Sequence, residues 1–569
     1  MEVVVIGGSV AGLKAACRIS RLQPDARVRV LVKDRKFGYS ASGLPYYLSG
    51  DVDSYAALVS TPNGTLKDER YFREVKGVEV LTRHEVTAID RAARIVRCRM
   101  LDADCEVAFP YDKLVLATGS QPVLPAIPGA DTPGVRLFVH PEDAIQLRDD
   151  LEHGRIEKVA IIGAGIVGLE LCEAFRSMWG VEVDLIELQP RVLSGLLDTE
   201  LARLVEDELQ SRGINLLLGC GCREIIADED KICVFDNSGD MLQADRIILA
   251  TGVRPNSDLA RAAGLEIGIT GGIKVDEHLA TSDPDIFAAG DCVELPNAVD
   301  GQGQYWSLGS LAVRMGRVVG DNICNGDSRV SPVAGAMVLK LFDLTIGLTG
   351  LTVVECEEKG YETGRSWGTF HDRMNYYPEA VPLHAHLLYD LGSGRVLGFQ
   401  AVSRGHLIHI LDVASQVIHS GATIDELHEI EHVYSPPYAQ PFSPLHYLAF
   451  IAENSHSAGV RLVPPDEFDT LTVDTLILDV RSPHEIAGRH LEVGKRAKIE
   501  IPIEELRSRL NEVPRGVEVV AVCQMGGRSW DAALLLRRAG WDKVGILAGG
   551  ALFQPLKADL VSTSLSGRR

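Results

Sequence analysis

The chain has 569 residues, 46% of them hydrophobic and 24% charged, with a formal net charge of −22. That length exceeds what one hydrophobic core holds and predicts three or four domains of ordinary globular composition. The acidic balance argues against a nucleic-acid partner, because phosphate binding needs basic surface.

No apolar run approaches the roughly 18 residues a membrane helix needs, so no membrane partner is expected. The N-terminus enters a strand at once, in "MEVVVIGGSVAG", without the basic start and cleavage site of a signal peptide. The expected location is therefore the cytoplasm. Eleven cysteines are scattered without a Cys-x-x-Cys pair. Cys220 and Cys222 are too close for a usual zinc knuckle, so neither a metal site nor a disulfide framework is expected.

Along the chain, "EVVVIGGSVAGLKAACRI" gives an apolar strand, a glycine-rich turn and a helix. The same order returns in "KVAIIGAGIVGLELCEAF", and second strands follow in "RVRVLV" and "EVDLIEL". This is the βαβ dinucleotide unit, used twice. Its first copy reads Gly7-Gly8-Ser9-Val10-Ala11-Gly12, with Ser9 in the middle glycine place and Val32 where the ribose-binding acid would fall; Asp34 is the nearest substitute. Its second copy is complete, with Gly163, Gly165 and Gly168. Gly163 allows the tight turn, Gly165 lets the backbone approach a pyrophosphate, and Gly168 lets helix and strand pack closely. Glu187 ends the following strand, where it can accept from a ribose 2′-hydroxyl, and no arginine immediately follows it. NADH is expected over NADPH, with Arg191 the nearest cation that could favour the latter. Two further strands end in Ala-Thr-Gly, at Ala117-Thr118-Gly119 and Ala250-Thr251-Gly252. A third ends in Gly290-Asp291, with an acid suited to the ribityl chain of FAD.

After about residue 330, "VLKLFDLTIGLTGLT", "LHAHLLYDLGSGRVLGFQAVS" and "HILDVASQVIHSGATIDELHEIE" read as strands and a helix, with a hairpin turn at "GSGR". The polar stretch Ala452 to Val460 reads as a linker. Beyond it, strands again alternate with helices and predict a small parallel sheet.

Residues 1 to about 455 resemble the pyridine nucleotide-disulfide oxidoreductases, and within them the coenzyme A-disulfide reductase, NADH oxidase and NADH peroxidase branch. The resemblance rests on the two glycine turns, the Ala-Thr-Gly strands, Gly290-Asp291 and "SGLPYY". In that branch a single redox cysteine precedes Gly-Leu-Pro-Tyr beside the flavin; here the residue is Ser42. Residues 18 to 97 contain no cysteine, which excludes the Cys-x4-Cys mechanism. The resemblance implies FAD, NADH and coenzyme A as substrate or bound ligand. It also implies a homodimer with shared active sites, to which Tyr376 of "NYYPEA" and Tyr434 of "YSPPYAQPFSP" contribute. Arg18 and Arg21 would help hold coenzyme A phosphates.

The last domain resembles a single rhodanese. "DVRSPHEIAGRH" supplies Asp479, Arg481, Glu485, Gly488 and His490, and a six-residue loop runs from Cys523 to Arg528. Such a loop turns backbone N–H groups inward, which favours a persulfide anion. Gly526 and Gly527 permit the curl, and Arg528 adds charge or orders the loop.

The expected fold is α/β, with two Rossmann-like domains, an α+β dimerisation domain and a rhodanese domain. FAD binding is assigned to 1–110 and 246–327, NAD(H) binding to 111–245, dimerisation to 328–453 and the rhodanese module to 461–569. The expected activity is NAD(P)H-dependent reduction of sulfane sulfur in a coenzyme A persulfide, a polysulfide or coenzyme A disulfide. The alternatives are an NADH oxidase or peroxidase, and a non-catalytic persulfide carrier or sensor. Serine cannot form a mixed disulfide. Position 42 therefore holds either a Cys→Ser form of a working reductase or a natural serine at a site that has lost this chemistry. The intact surroundings favour the first.

Overall fold

The computed structural model describes residues 1–228 and 231–554; the expected rhodanese span from 555 onward lies outside the described residues. The chain divides into two compact units. One comprises Met1–Pro190 and Ile214–Gly335, the other Arg191–Gly213 and the residues from Ala336 on.

The first unit builds the same parallel sheet twice. In one, the strands Ile286–Ala288, Lys113–Leu116, Glu2–Ile6, Arg27–Leu31 and Glu79–Leu81 lie side by side in that order. In the other, the order is Asn215–Leu218, Glu182–Glu187, Lys158–Ile162, Arg246–Leu249 and Val135–Leu137. Val3, Val4, Val5, Val159, Ala160 and Ile161 have no exposed surface, as expected of parallel strands covered on both faces. Each sheet is interrupted by a three-stranded antiparallel meander, His84–Asp90 to Cys105–Pro110 in the first and Cys222–Asp228 to Met241–Ala244 in the second.

Two expected boundaries shift. The strand Lys113–Leu116, assigned to the NAD(H) domain, pairs with Glu2–Ile6 in the first sheet. Arg246–Leu249, assigned to the FAD domain, pairs with Lys158–Ile162 in the second. Each meander returns the chain as a strand parallel to the one that opened its own sheet, so the crossing between sheets comes after the Ala-Thr-Gly tripeptide. A further part of the assigned 111–245 domain, the helix Thr199–Ser211, belongs to the second unit. There the Asp198 backbone N–H donates to Gln400 Oε1 at 2.8 Å and Glu208 pairs with Arg404.

The second unit contains an antiparallel sheet in the order Met337–Leu341, Leu344–Gly350, Val396–Ser403, Pro382–Asp390, Thr363–His371. The hairpin expected at "GSGR" joins Pro382–Asp390 to Val396–Ser403, closed by the Asp390 N–H to Arg395 O bond. The expected linker at Ala452–Val460 is instead mostly helix: Pro444–Ala458 runs through it and stops at Gly459, φ +60°. Ser443 caps this helix with Pro444 at its first position, and no glycine or proline interrupts it before Gly459. The C-terminal module is a parallel sheet in the order Arg461–Val463, Val544–Leu547, Val519–Val522, Leu476–Asp479, Lys498–Glu500. Among the described residues, no helix is long and apolar enough to cross a membrane.

Candidate functional site

The two glycine turns repeat one another in atomic detail. A Cβ on Gly7 would lie 2.0 Å from the Ala117 carbonyl oxygen, and one on Gly163 would lie 2.4 Å from that of Ala250. Gly12 and Gly168 are pressed equally hard against the carbonyls of Gly7 and Gly163. Each Ala-Thr-Gly strand thus closes against its own turn, which explains why the tripeptide recurs. A Cβ on Gly165 would meet nothing within 4 Å, so open space lies where a pyrophosphate would approach the helix N-terminus. Glu187 faces this turn: Oε2 accepts from the Ala164 N–H at 2.7 Å and Oε1 from the Gln189 N–H at 2.8 Å. Lone pairs remain for a ribose hydroxyl.

In the first turn, exposed Ser9 begins the helix Val10–Leu22 without capping it through its side chain. Asp34 is exposed beyond the end of its strand, while buried Val32 packs over Gly8. The structure therefore leaves Asp34 off the strand edge. Asp291 is placed as expected, after the strand Ile286–Ala288. Ser307 Oγ donates to its Oδ2 at 2.7 Å, and burial pushes its carboxyl upward against that bond and one from Ser120. A half-buried carboxylate close to the first turn, where a Cβ on the preceding Gly290 would lie 3.0 Å from Ala11 Cβ, suits the ribityl chain of FAD. Thr118 and Thr251 serve the backbone, donating to the carbonyls of Asn256 and Val123 at 2.6 and 2.7 Å. Gly119, Gly252 and Gly290 all have positive φ.

Ser42 sits in the single 3₁₀ turn Ala41–Gly43, exposed, with Ser40 Oγ 3.3 Å from its own. The following short helix, Leu44–Ser49, is firmly held. Arg148 stacks on Tyr47 at 4.7 Å and donates to the carbonyls of Tyr47 and Val52 at 2.7 and 3.1 Å, and Trp179 Nε1 donates to that of Leu48 at 2.8 Å. Sequence reasoning missed a carboxylate here. Glu170, on the helix that follows the second turn, is pushed up to about 7 by burial and then by Glu173, and it faces Tyr46 of the short helix. Its signal was a lone pair of acids, Glu170 and Glu173, in the otherwise apolar "GIVGLELCEAF".

Tyr376 and Tyr434 are brought together. Both are exposed, at 67% and 45%, and desolvation, followed by the neighbouring Tyr376 phenol, pushes the Tyr434 phenol upward. Arg18 Nε donates to Asp321 at 2.5 Å, and the side chain is 20% exposed. Arg21 is exposed and, with Lys14 and Lys76, surrounds Cys17; burial pushes that thiol up and the three cations pull it down.

In the C-terminal module, Cys523 directly follows the strand Val519–Val522 and is 1% exposed. The Gly526 N–H donates to its Sγ at 3.0 Å, and Ser529 Oγ lies 3.4 Å away. Gly526 has φ +104°, a conformation that favours glycine, whereas Gly527 opens the helix Gly527–Arg538. Arg528 turns outward to grip Glu485 with two bonds, one of 2.8 Å. That grip, above all, holds the Glu485 carboxyl down to about 2. Asp479 and Arg481 are wholly buried and bidentate, at 2.9 and 2.8 Å, while His490 is largely exposed. Ser529, absent from the sequence expectation, was readable as the hydroxyl directly after Arg528.

Duplicated nucleotide turns of this kind are the machinery of a flavoprotein that takes electrons from NAD(P)H, here with a sulfur-handling module appended. The chain belongs to the pyridine nucleotide-disulphide oxidoreductase family, whose model matches residues 1–316. The family's dimerisation domain matches 337–443, and a rhodanese-like domain matches 465–552. The family uses FAD and NAD(P)H. An NAD(P)H coenzyme A polysulfide/persulfide reductase of Pyrococcus horikoshii is 32% identical over 449 residues, covering 79% of this chain and 97% of that protein. An NADH oxidase of Methanocaldococcus jannaschii is 33% identical over 446 residues, 78% and 97% of the two chains. Among solved structures, an NAD-dependent persulfide reductase from A. fulgidus superimposes with a TM-score of 0.93 at 38% identity, covering 97% of this chain and 100% of that one. The reduced form of Bacillus anthracis CoADR-RHD gives 0.88 at 29% identity, covering 96% of each.

Proposed function

We propose that this chain is an NAD(P)H-dependent reductase of sulfane sulfur, carried as a coenzyme A persulfide or polysulfide, working as a homodimer. The observation that carries the reading is the Cys523 loop, with its sulfur held by a backbone N–H at 3.0 Å, in one chain with two dinucleotide turns. A peroxide- or oxygen-reducing enzyme has no use for that loop.

The roles divide by residue. Gly7, Ser9, Ala11, Gly12, Ala117, Thr118, Gly119, Gly290 and Asp291 would hold FAD. Gly163, Gly165, Gly168, Glu187 and Gly252 would hold the nicotinamide nucleotide, with Glu187 favouring NADH. Bound FAD supplies two-electron transfer from NADH to sulfur. Cys523 exchanges sulfur with a carrier thiol: Cys523–SH and R–S–SH give Cys523–S–SH and R–SH. The Gly526 N–H stabilises the sulfur anion in that exchange. Tyr376 and Tyr434 supply phenolic protons to the leaving thiolate at the partner's site. The overall balance is R–S–SH + NADH + H⁺ → R–SH + H₂S + NAD⁺. Position 42 is the seat of the thiol that attacks the S–S bond, and Ser42 holds the chain in a form that binds but does not turn over.

The test is Ser42→Cys, assayed for NADH consumption with coenzyme A persulfide. Consumption should appear in the cysteine form and depend on the persulfide. No rise above the serine form contradicts the reading.

A further inference from the structure

The C-terminal module does not support its sulfur loop alone. Beneath Cys523 runs the turn Gly549-Gly550-Ala551. The Ala551 N–H donates to the Cys523 carbonyl at 2.8 Å, and the Leu552 N–H to that of Gln524 at 3.0 Å. The approach is close: a Cβ on Gly550 would lie 2.6 Å from the Met525 nitrogen. The position of this turn therefore sets the backbone that presents Cys523.

The turn is in its own right gripped from outside the module. Thr369, 3% exposed on the dimerisation-sheet strand Thr363–His371, donates from Oγ1 to the Gly549 carbonyl at 2.7 Å. Directly across the sheet from Thr369 stands His384, whose Nδ1 is 3.1 Å from the same Oγ1. A hydroxyl has one proton. With that proton on Gly549, Oγ1 accepts from the imidazole Nδ1–H. Burial, reinforced by Arg489, lowers the imidazole to about 4, and the neutral ring makes this bond in its Nδ1–H tautomer. His384 also packs edge-on against Phe553 at 5.4 Å, and Arg489 Nε donates to the Ala551 carbonyl at 3.0 Å. An unbroken chain of hydrogen bonds and backbone thus runs from His384 through Thr369 and Gly549–Ala551 to Cys523.

We propose that Thr369 and His384 are positioning residues for sulfur transfer, so that the dimerisation sheet, and not the rhodanese module alone, fixes the geometry of the Cys523 loop. This rests on the reading of Cys523 as the sulfur-carrying thiol. Losing the Thr369 hydroxyl leaves a buried carbonyl without its donor and frees the turn beneath the loop.

The experiment uses the full-length FAD-loaded protein and measures kcat and KM separately for sulfur transfer from thiosulfate or polysulfide to cyanide. Thr369→Val should lower kcat about tenfold with KM changed less than about twofold, and Thr369→Ser should restore it. NADH reduction of the flavin should be unchanged in both. If Thr369→Val does not yield folded holoenzyme, His384→Asn, which keeps an N–H donor, is compared with His384→Leu; only the second should lose kcat. A kcat within about twofold of the parent in Thr369→Val or His384→Leu, or a loss that Thr369→Ser fails to rescue, overturns the proposal. Cys523→Ser separates the two readings. Transfer retained without Cys523 defeats the assignment of the thiol, whereas transfer abolished there but intact in Thr369→Val defeats the positioning role alone.

Discussion

Removing Asp479 should open the sulfur-handling module while leaving the flavin half folded. Arg481 and Asp479 are both 0% exposed, joined by two bonds of 2.9 and 2.8 Å, and Arg481 NH1 also donates to the Arg489 carbonyl at 2.8 Å. Lys498, 3.5 Å from Asp479, retains Glu500 at 2.8 Å and needs no replacement partner. Asp479→Ala therefore strands one wholly buried guanidinium without its carboxylate. Breaking a buried pair in this way costs about 3–5 kcal/mol, so local opening should become roughly 150- to 5,000-fold more frequent. Hydrogen exchange followed by mass spectrometry reads this directly on the amides of the strand Leu476–Asp479 and its neighbour Val519–Val522. Those amides should exchange faster by that factor, while amides of Glu2–Ile6 and Lys158–Ile162 keep their protection. The double change Asp479→Leu with Arg481→Leu should recover more than half of the loss, because it removes the uncompensated charge along with its partner. Protection that falls less than about tenfold in Asp479→Ala, equivalent to about 1.4 kcal/mol, would refute the reasoning.

Other expectations follow from the same geometry. In the Ser42→Cys protein, Glu187→Ala should raise the KM for NADH about tenfold or more and narrow its margin over NADPH, since a charged acceptor for the ribose is worth about 1.5–3 kcal/mol; an unchanged NADH KM counts against the role of Glu187. Gly163→Ala should abolish nucleotide binding, because φ is +111° and the new Cβ would fall 2.4 Å from the Ala250 oxygen; titration of NADH by fluorescence checks it. Glu485 titrates at about 2 in the folded chain, below its ordinary value near 4.5, so the pair with Arg528 stabilises fully above the ordinary value and fades as pH falls toward 2. With allowance for solvent screening it contributes about 1 kcal/mol. The gap in melting midpoint between the parent and Glu485→Gln should narrow from about pH 5 downward and close only near pH 2; a constant gap contradicts the assignment.

What the sequence disclosed, and what it hid, divide along a physical line. Both glycine turns, Glu187, Asp291 and the Cys523 loop are local patterns in which a few neighbouring residues determine the geometry. The tripeptides Ala117–Gly119 and Ala250–Gly252 were visible too, yet their sheets were assigned one strand out of place. Which opening strand a returning strand joins depends on pairing across more than 80 residues, and no local signal carries that. The helix through Ala452–Ala458 was misread because polar small residues suit a linker, although nothing there breaks a helix that Ser443 and Pro444 have started. Thr369 and His384 were not legible at all: their partner, Gly549, lies 180 residues from Thr369, and only the packed second unit brings them together.

The central claim is that the intact site reduces a sulfur–sulfur bond with electrons from NADH, and the decisive measurement is stoichiometry. The Ser42→Cys protein, loaded with FAD, is given coenzyme A persulfide and NADH without oxygen, and NADH loss and sulfide release are followed together. One sulfide per NADH, with neither produced by the Ser42 form, is the predicted result. NADH consumption that requires oxygen and yields no sulfide would contradict the account and make this an oxidase.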